Sequence, residues 1–220
     1  MTSGSRGVHT PARYCYLVRM DVQHDKDALF NEVYDTEHIP ELGRLPGVSR
    51  ITRYRTAVPH ELRYMVIYEI DHPGIPASPG WKSAADKGRW APEVRPYTLN
   101  RARHRAVYTL VGGHQGLLCT TPYLFLEALD VEPHRVDLLN EIYERERLPA
   151  LAKVTGVRNV VRYHAQADGH PGHLTFFEVD AADVPTSGAF AQAESQGRWM
   201  SEVLPYTYNR HLVLYERIRR

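Results

Sequence analysis

Asn31-Glu32-Val33-Tyr34-Asp35 returns as Asn140-Glu141-Ile142-Tyr143-Glu144, 109 positions later. The same offset carries Gly47-Val48 onto Gly156-Val157, Arg53-Tyr54 onto Arg162-Tyr163, and Gly88-Arg89-Trp90 onto Gly197-Arg198-Trp199. It continues through Pro96-Tyr97-Thr98 and Pro205-Tyr206-Thr207 to Asn100-Arg101 and Asn209-Arg210. About a third of the positions from Asn31 to Arg101 are identical in the second stretch, without a gap. A period this long excludes a solenoid of short repeats and points to a duplicated domain. Two fused copies are expected to pack about a pseudo-two-fold axis, as the subunits of a dimer do.

Each copy reads β-α-β-β-α-β. Residues 14–20 (YCYLVRM) alternate and are rich in aromatic and β-branched side chains, a strand signature. Residues 25–39 place Leu29, Val33, Thr36 and Ile39 near helical spacing. Asp25 or Asp27 supplies the cap, and Pro40 is expected to end the helix. Residues 48–55 and 62–70 read as strands joined by a turn around Pro59. Ser78-Pro79 opens a second helix expected to reach Val94, and residues 103–111 read as the fourth strand. The second copy repeats this order with strands at 122–129, 157–164, 173–179 and 208–217, and helices at 133–148 and 186–203. The expected organisation is a disordered lead over residues 1–13, a first repeat over 14–111, a flexible Gly-rich linker over 112–121 and a second repeat over 122–220. The fold class is α+β, two ferredoxin-like repeats with helices on one face of each antiparallel sheet and the bare faces packed together.

The 220 residues carry 27 Lys+Arg against 26 Asp+Glu, a balance that argues against nucleic acid as a partner. No stretch approaches the roughly 18 consecutive apolar residues of a membrane span, and the lead has no apolar segment of a secretory signal. Two cysteines, Cys15 and Cys119, make neither a disulfide framework nor a zinc site, so the cytoplasm is the expected compartment. Twelve histidines invite a metal reading, but His164, His170 and His173 lack the spacing of a ligand set and are expected in a hairpin. No Gly-rich phosphate loop and no Gly-x-Ser-x-Gly elbow is present.

The string Tyr34-Asp35-Thr36-Glu37-His38-Ile39-Pro40, followed by Pro46-Gly47-Val48 and Arg53-Tyr54, resembles the dimeric α/β-barrel superfamily, and within it the EthD-like branch. The resemblance extends over both copies. It implies a pseudo-dimeric α/β barrel. For activity it implies cofactor-free polyketide cyclisation, lactone isomerisation, quinone-forming monooxygenation, or aldoxime- and haem-using chemistry, and fold alone does not choose among them. A Tyr/His pair is implicated in the superfamily's plant polyketide cyclase, and the resemblance suggests the same pairing for Tyr34 and His38. The second copy has Arg147 where the first has His38.

His38 is the leading catalytic candidate, because imidazole titrates near neutrality and Tyr34, four residues before it, shares its helical face. The competing reading makes His38 a cation at the negative end of a helix, which Arg147 would serve equally. Glu37 and Glu146 are expected to pair with Arg53 and Arg162, fixing helix to sheet. Trp90 and Trp199 are expected to pack under the second helix, and Asn100 and Asn209 to satisfy backbone groups at the turn into the last strand. Where the copies differ, the first is the more polar: Tyr64 stands opposite His173, Tyr68 opposite Phe177, Trp81 opposite Phe190 and Arg95 opposite Leu204. Tyr64, Tyr68, Trp81 and Arg95 are accordingly the substrate-binding candidates. The expected activity needs no cofactor and no metal. It is proton transfer on an aromatic or polyketide-like carbonyl compound (an isomerase, cyclase or lyase), with His38 moving the proton and Tyr34 bonding the oxygen that becomes negative. The alternatives are a metabolite-binding protein without turnover and a cofactor-free monooxygenase of a phenol. A haem-dependent reading would require His38 to point into the pocket as an axial ligand. The expected assembly is an intrachain pseudo-dimer, with room for a further homodimer.

Overall fold

Alternation in the strands sets the layering. β1 (Tyr14–Val22) sends Cys15 and Leu17 to one side and Tyr16, Val18 and Met20 to the other, and both sets are buried. A strand covered on both faces must lie between two cores. The computed structural model, which describes residues 12–101, 104–113, 116–165 and 170–219, shows what those cores are. Residues 1–11 of the expected lead, His114 and Gln115 of the expected linker, and Arg103 at the expected start of the fourth strand lie outside the described residues.

The first half continues with β2 (Val48–Arg55), β3 (Tyr64–Ile70), a short β4 (Thr98–Leu99) and β5 (Arg105–Gly112). The second half supplies β6 (Tyr123–Val131), β7 (Val157–His164), β8 (His173–Val179) and β9 (Thr207–Arg217). Within each half the order is the same, β5-β1-β3-β2 and β9-β6-β8-β7, all antiparallel. The halves join edge to edge, β2 with β9 and β5 with β7, so eight strands close on themselves. Closure removes the free edges that two separate sheets would expose. A barrel of about eight strands is just wide enough for side chains to fill it. Here the filling is Cys15, Leu17, Met65, Ile67, Tyr108, Leu126, Tyr163, Phe176 and Tyr215 among others. The connecting segment contributes as well: Leu117 and Cys119 are buried in this interior, and the buried Glu178 carboxylate accepts the amides of Leu118 (2.7 Å) and Cys119 (2.6 Å).

The offset of 109 does not survive into the last strands. Cys15 pairs with Tyr108, and Leu124 with Tyr215. Strand β1 maps to β6 by 109 positions but β5 maps to β9 by 107, so the first half carries two extra residues between Arg101 and Arg105.

Helices cover the outside. The first-half layer holds α1 (Asp27–Val33), α2 (Ile39–Gly43) and α3 (Pro79–Asp86), and the second holds α4 (Val136–Ile142), α5 (Leu148–Leu151) and α6 (Gly188–Glu194). Pro40 does not end the first helix as expected. A π-helical turn over Tyr34–His38, in which the Ile39 amide donates to the Tyr34 carbonyl five residues back, widens the helix ahead of the proline, and the chain runs on to Gly43. Pro149 follows the equivalent turn, Tyr143–Arg147. The helix opened by Ser78, whose hydroxyl accepts the Trp81 amide, stops at Asp86 rather than near Val94. The break is Gly88 at φ +67°, after which Trp90–Val94 forms a second π turn.

The expected Glu37–Arg53 pair is also corrected. Glu37 points at the break, accepting from the Arg89 amide (2.8 Å) and guanidinium (2.6 Å), while Arg53 bonds Asp35 (2.8 Å) and Asn31 (2.6 Å). Glu146 and Arg198 repeat the first arrangement, and Arg162 bonds Asn140. The reason is spacing: Glu37 and Asp35 leave the helix on different sides, and only Asp35 faces the sheet. Because a Cβ at Gly88 would collide with the Glu37 carboxylate and would need the left-handed region, Gly88→Ala should destabilise by about 1–3 kcal/mol. Urea unfolding measures it, and a loss below about 0.5 kcal/mol, the usual surface effect, would contradict this account.

Candidate functional site

The π turn of the first half aims Tyr34 and His38 into the layer between helices and sheet. There Tyr34 Oη meets Tyr68 Oη of β3 at 2.7 Å, and both hydroxyls are buried. His38 stacks on Trp90, with centroids 4.3 Å apart and planes at 27°, and meets the Tyr34 ring edge-on at 4.9 Å. It is 3% exposed, and its Nδ1 has no hydrogen-bond partner. Buried polar atoms are rarely left so in native proteins, and each one asks for an explanation.

Tyr68 in turn touches Tyr16 (5.7 Å) and Trp81 of α3 (5.1 Å), and these two form an edge-to-face pair at 5.6 Å. Tyr16 and Trp81 line a groove of about 600 Å³ whose other walls include Ala85, Arg95, Arg101 and Arg105. The site is therefore layered: an open cationic groove, an aromatic layer beneath it, and the Tyr34–Tyr68–His38 cluster below that.

Burial first, then the charges of Arg101, Arg95 and Arg53, push the His38 pKa down to about 3, so the imidazole is neutral at any physiological pH. Burial likewise raises Tyr34 and, more strongly, Tyr68, against the opposing charge of Arg101. Arg101 sits with its guanidinium 5.7 Å from the centre of the Trp90 ring, and among the described residues no carboxylate pairs with it. Arg95 is engaged by Asp86 and by the Ala85 carbonyl (2.9 Å) at the end of α3.

The corresponding layer of the second half is closed on itself. Glu127 of β6, 1% exposed, accepts from the Tyr143 hydroxyl (2.9 Å), from Arg147 (3.0 Å) and from Arg210 (2.8 Å). Arg147 also bonds Glu194 of α6 (2.7 Å) and lies over Trp199 at 4.2 Å. Burial alone would raise the Glu127 pKa. Arg147, Arg210 and the Tyr143 hydroxyl more than offset it, and the carboxyl stays below its usual range. Phe125, Phe177 and Phe190 pack where the first half has Tyr16, Tyr68 and Trp81.

Of the six residues singled out in the sequence, Tyr34, His38, Tyr68 and Trp81 thus meet in one cluster, and Arg95 stands at its groove. Tyr64 does not join them. It bonds Asn31 (2.9 Å) and Asp27 (2.8 Å) on the far side of Phe30, beside a separate surface hollow. Arg101, Tyr16 and Arg105 are additions that sequence reasoning missed, although Arg101 stands at the end of the repeated motif. The residues present do not fit an axially held haem: His38 is enclosed between Trp90 and Tyr34, and among the described residues no histidine lines the groove.

No protein-family model matches the chain, and no curated protein matches it in sequence. Solved structures do match in fold. A candidate monooxygenase from Fusobacterium nucleatum superposes with a TM-score of 0.64 at 9% identity, over 96% of this chain and 94% of that one. An anthrone oxidase-like protein gives 0.58 at 12% identity, over 94% and 91%. A mutant chlorite dismutase from Candidatus Nitrospira defluvii gives 0.62 at 11%, over 96% and 93%. At such identities the likeness is one of fold, the dimeric α/β barrel. Among the described residues no helix is long and apolar enough to cross a membrane.

Proposed function

We propose that this chain is a tandem duplication of one barrel-forming subunit, close to the EthD-like branch, whose first half is a small-molecule enzyme and whose second half is its scaffold. The shared strand order and the repeated Glu37–Arg89 and Glu146–Arg198 contacts support the duplication. The substrate is an aromatic or polyketide-like carbonyl compound that enters over Tyr16 and Trp81. His38 moves the proton, and the Tyr34 hydroxyl, held by Tyr68, bonds the oxygen that carries negative charge. The observation behind this is the unpartnered His38 Nδ1, buried between Trp90 and Tyr34 beneath the aromatic layer that floors the groove. With a pKa near 3 the imidazole by itself is a weak base. A substrate bearing negative charge opposes the three arginines and raises it, so the base is strengthened by the molecule it acts on.

A placed acid or base is worth about 10²–10⁴ in rate. Deuterium exchange at the methylene of anthrone or 2-tetralone in D₂O, followed by NMR, reads the proton transfer directly. Wild type should accelerate it, and His38→Gln should lose at least about a hundredfold with folding intact. Full activity in the variant would end the proposal and leave a binding protein. The monooxygenase and anthrone oxidase-like neighbours favour a second reading for the same site, in which O₂ takes a methylene to a carbonyl with release of water. Oxygen uptake with anthrone separates the two.

A further inference from the structure

The helix-covered layers of the two halves differ by two carboxylates. Glu127 of β6 corresponds to Val18 of β1, and Glu194 of α6 to Ala85 of α3, each by the offset of 109. Val18 faces the same helix-covered layer as Tyr34 and Trp90, as Glu127 faces Tyr143 and Arg147. Tyr143 corresponds to Tyr34 and Arg210 to Arg101. The first half therefore keeps two of the three groups that hold the Glu127 carboxylate, a tyrosine hydroxyl and an arginine. The third, Arg147, is replaced by His38, and both acids are replaced by small apolar side chains.

The consequence is a positive site without its anion. Arg101 has no carboxylate partner among the described residues, and its charge reaches His38, Tyr34, Tyr68 and Tyr16 together. Ala85, where the second half has Glu194, is one wall of the groove, and the aromatic floor has two hydroxyls and an indole in place of the three phenylalanines of the second half. An arginine without an internal counter-ion next to an aromatic floor of edge-to-face rings suits a carboxylate carried on an aromatic ring.

We propose that the first-half site binds aryl carboxylates, with Arg101 as the counter-ion and the Tyr16 and Trp81 rings as the aromatic contact, and that Glu127 is the built-in equivalent of that ligand's carboxylate in the second half. This rests on the reading above that the first-half layer is the substrate site, and narrows its substrate to an aromatic acid whose negative charge is present before reaction. His38, which replaces an arginine, lies in the layer below with its Nδ1 unpartnered.

The probes are 2-naphthoate and its neutral isostere 2-naphthamide, titrated into the full chain at pH 7.5 by calorimetry and by quenching of Trp81 and Trp90. Wild type should bind the acid at least tenfold more tightly than the amide, and Arg101→Gln should bring the two to parity. Val18→Glu should abolish binding of the acid by placing an internal carboxylate there. If that variant fails to fold, Val18→Glu/His38→Arg, which rebuilds the Glu127–Arg147 pair, should fold and still reject the acid. Equal affinity for acid and amide, or an Arg101→Gln variant that keeps the preference, would overturn the anion site while leaving an aromatic pocket in place. Absence of binding by both probes would overturn the pocket reading with it.

Discussion

Glu127→Gln should destabilise the protein by about 3–5 kcal/mol, the largest stability loss expected of any single conservative change here. The amide keeps the shape of the side chain and removes its charge. Arg147, 3% exposed, is then left with Glu194 alone, and Arg210 loses its closest acid. Breaking one side of a buried pair is costly because the remaining charge has no water to return to, whereas removing both sides together is often nearly neutral. The test is a double-mutant cycle by urea unfolding. Glu127→Val/Arg147→His imports the pair found in the first half and should recover at least half of the loss. A single variant within about 1 kcal/mol of wild type, or a double variant worse than both singles, would mean the network contributes little to folding.

That network lies within reach of the sequence, yet the repeat hides it. The matching of the halves is plainest from Asn31 onward, whereas the informative pair is Val18 and Glu127, in the strand before it. A single acid in the otherwise apolar outward set of YLFLEALDV is the kind of residue that must find a buried partner, and Arg147 and Arg210 are both visible. Most strands are legible because they are runs rich in aromatic and β-branched residues, alternating as in β1 or buried throughout as in β3 and β8, whereas the two-residue β4 carries no such signal. Residues 48–55, 157–164 and 173–179 match their observed bounds. The helices are less so. Proline normally ends a helix, and nothing in local propensity announces a π turn that absorbs one, twice, at Pro40 and Pro149. The Glu37 partner escapes sequence reasoning for the same reason: without the break at Gly88, Arg89 has no reason to lie near the first helix. Which edges join, β2 with β9 and β5 with β7, is a tertiary fact that no local pattern carries. The His38–Tyr34 pair can be named from spacing. Its electrostatics cannot, because they depend first on burial under the helices and then on Arg101 and Arg95, more than fifty positions away.

Those electrostatics lead to the second large effect. His38 is held neutral at a pKa of about 3, against about 6.5 in the unfolded chain. The unfolded state therefore binds the extra proton first, and the sign follows: this contribution to stability is complete above about pH 6.5 and declines as the pH falls toward 3. At about 1.4 kcal/mol per pH unit, the loss is about 2 kcal/mol by pH 5 and about 4 kcal/mol by pH 3, where the folded-state imidazole is itself half protonated. Carboxylates held low by arginines, Glu37, Glu127 and Glu146, add an acid sensitivity of their own, so wild type alone does not isolate the histidine. His38→Phe does, since the ring can keep its stack on Trp90 and cannot titrate. The stability difference between wild type and His38→Phe, from urea unfolding at pH 7.5, 6 and 5, should move against wild type by about 2 kcal/mol across the series. The carboxylate contributions cancel in that difference. A difference that does not change with pH would mean that the imidazole reaches water or an acid, and the weak-base state on which substrate activation depends would be gone. Saturating wild type with 2-naphthoate sharpens the test. An anion beside Arg101 should raise the His38 pKa and flatten the acid decline, whereas 2-naphthamide should leave it unchanged.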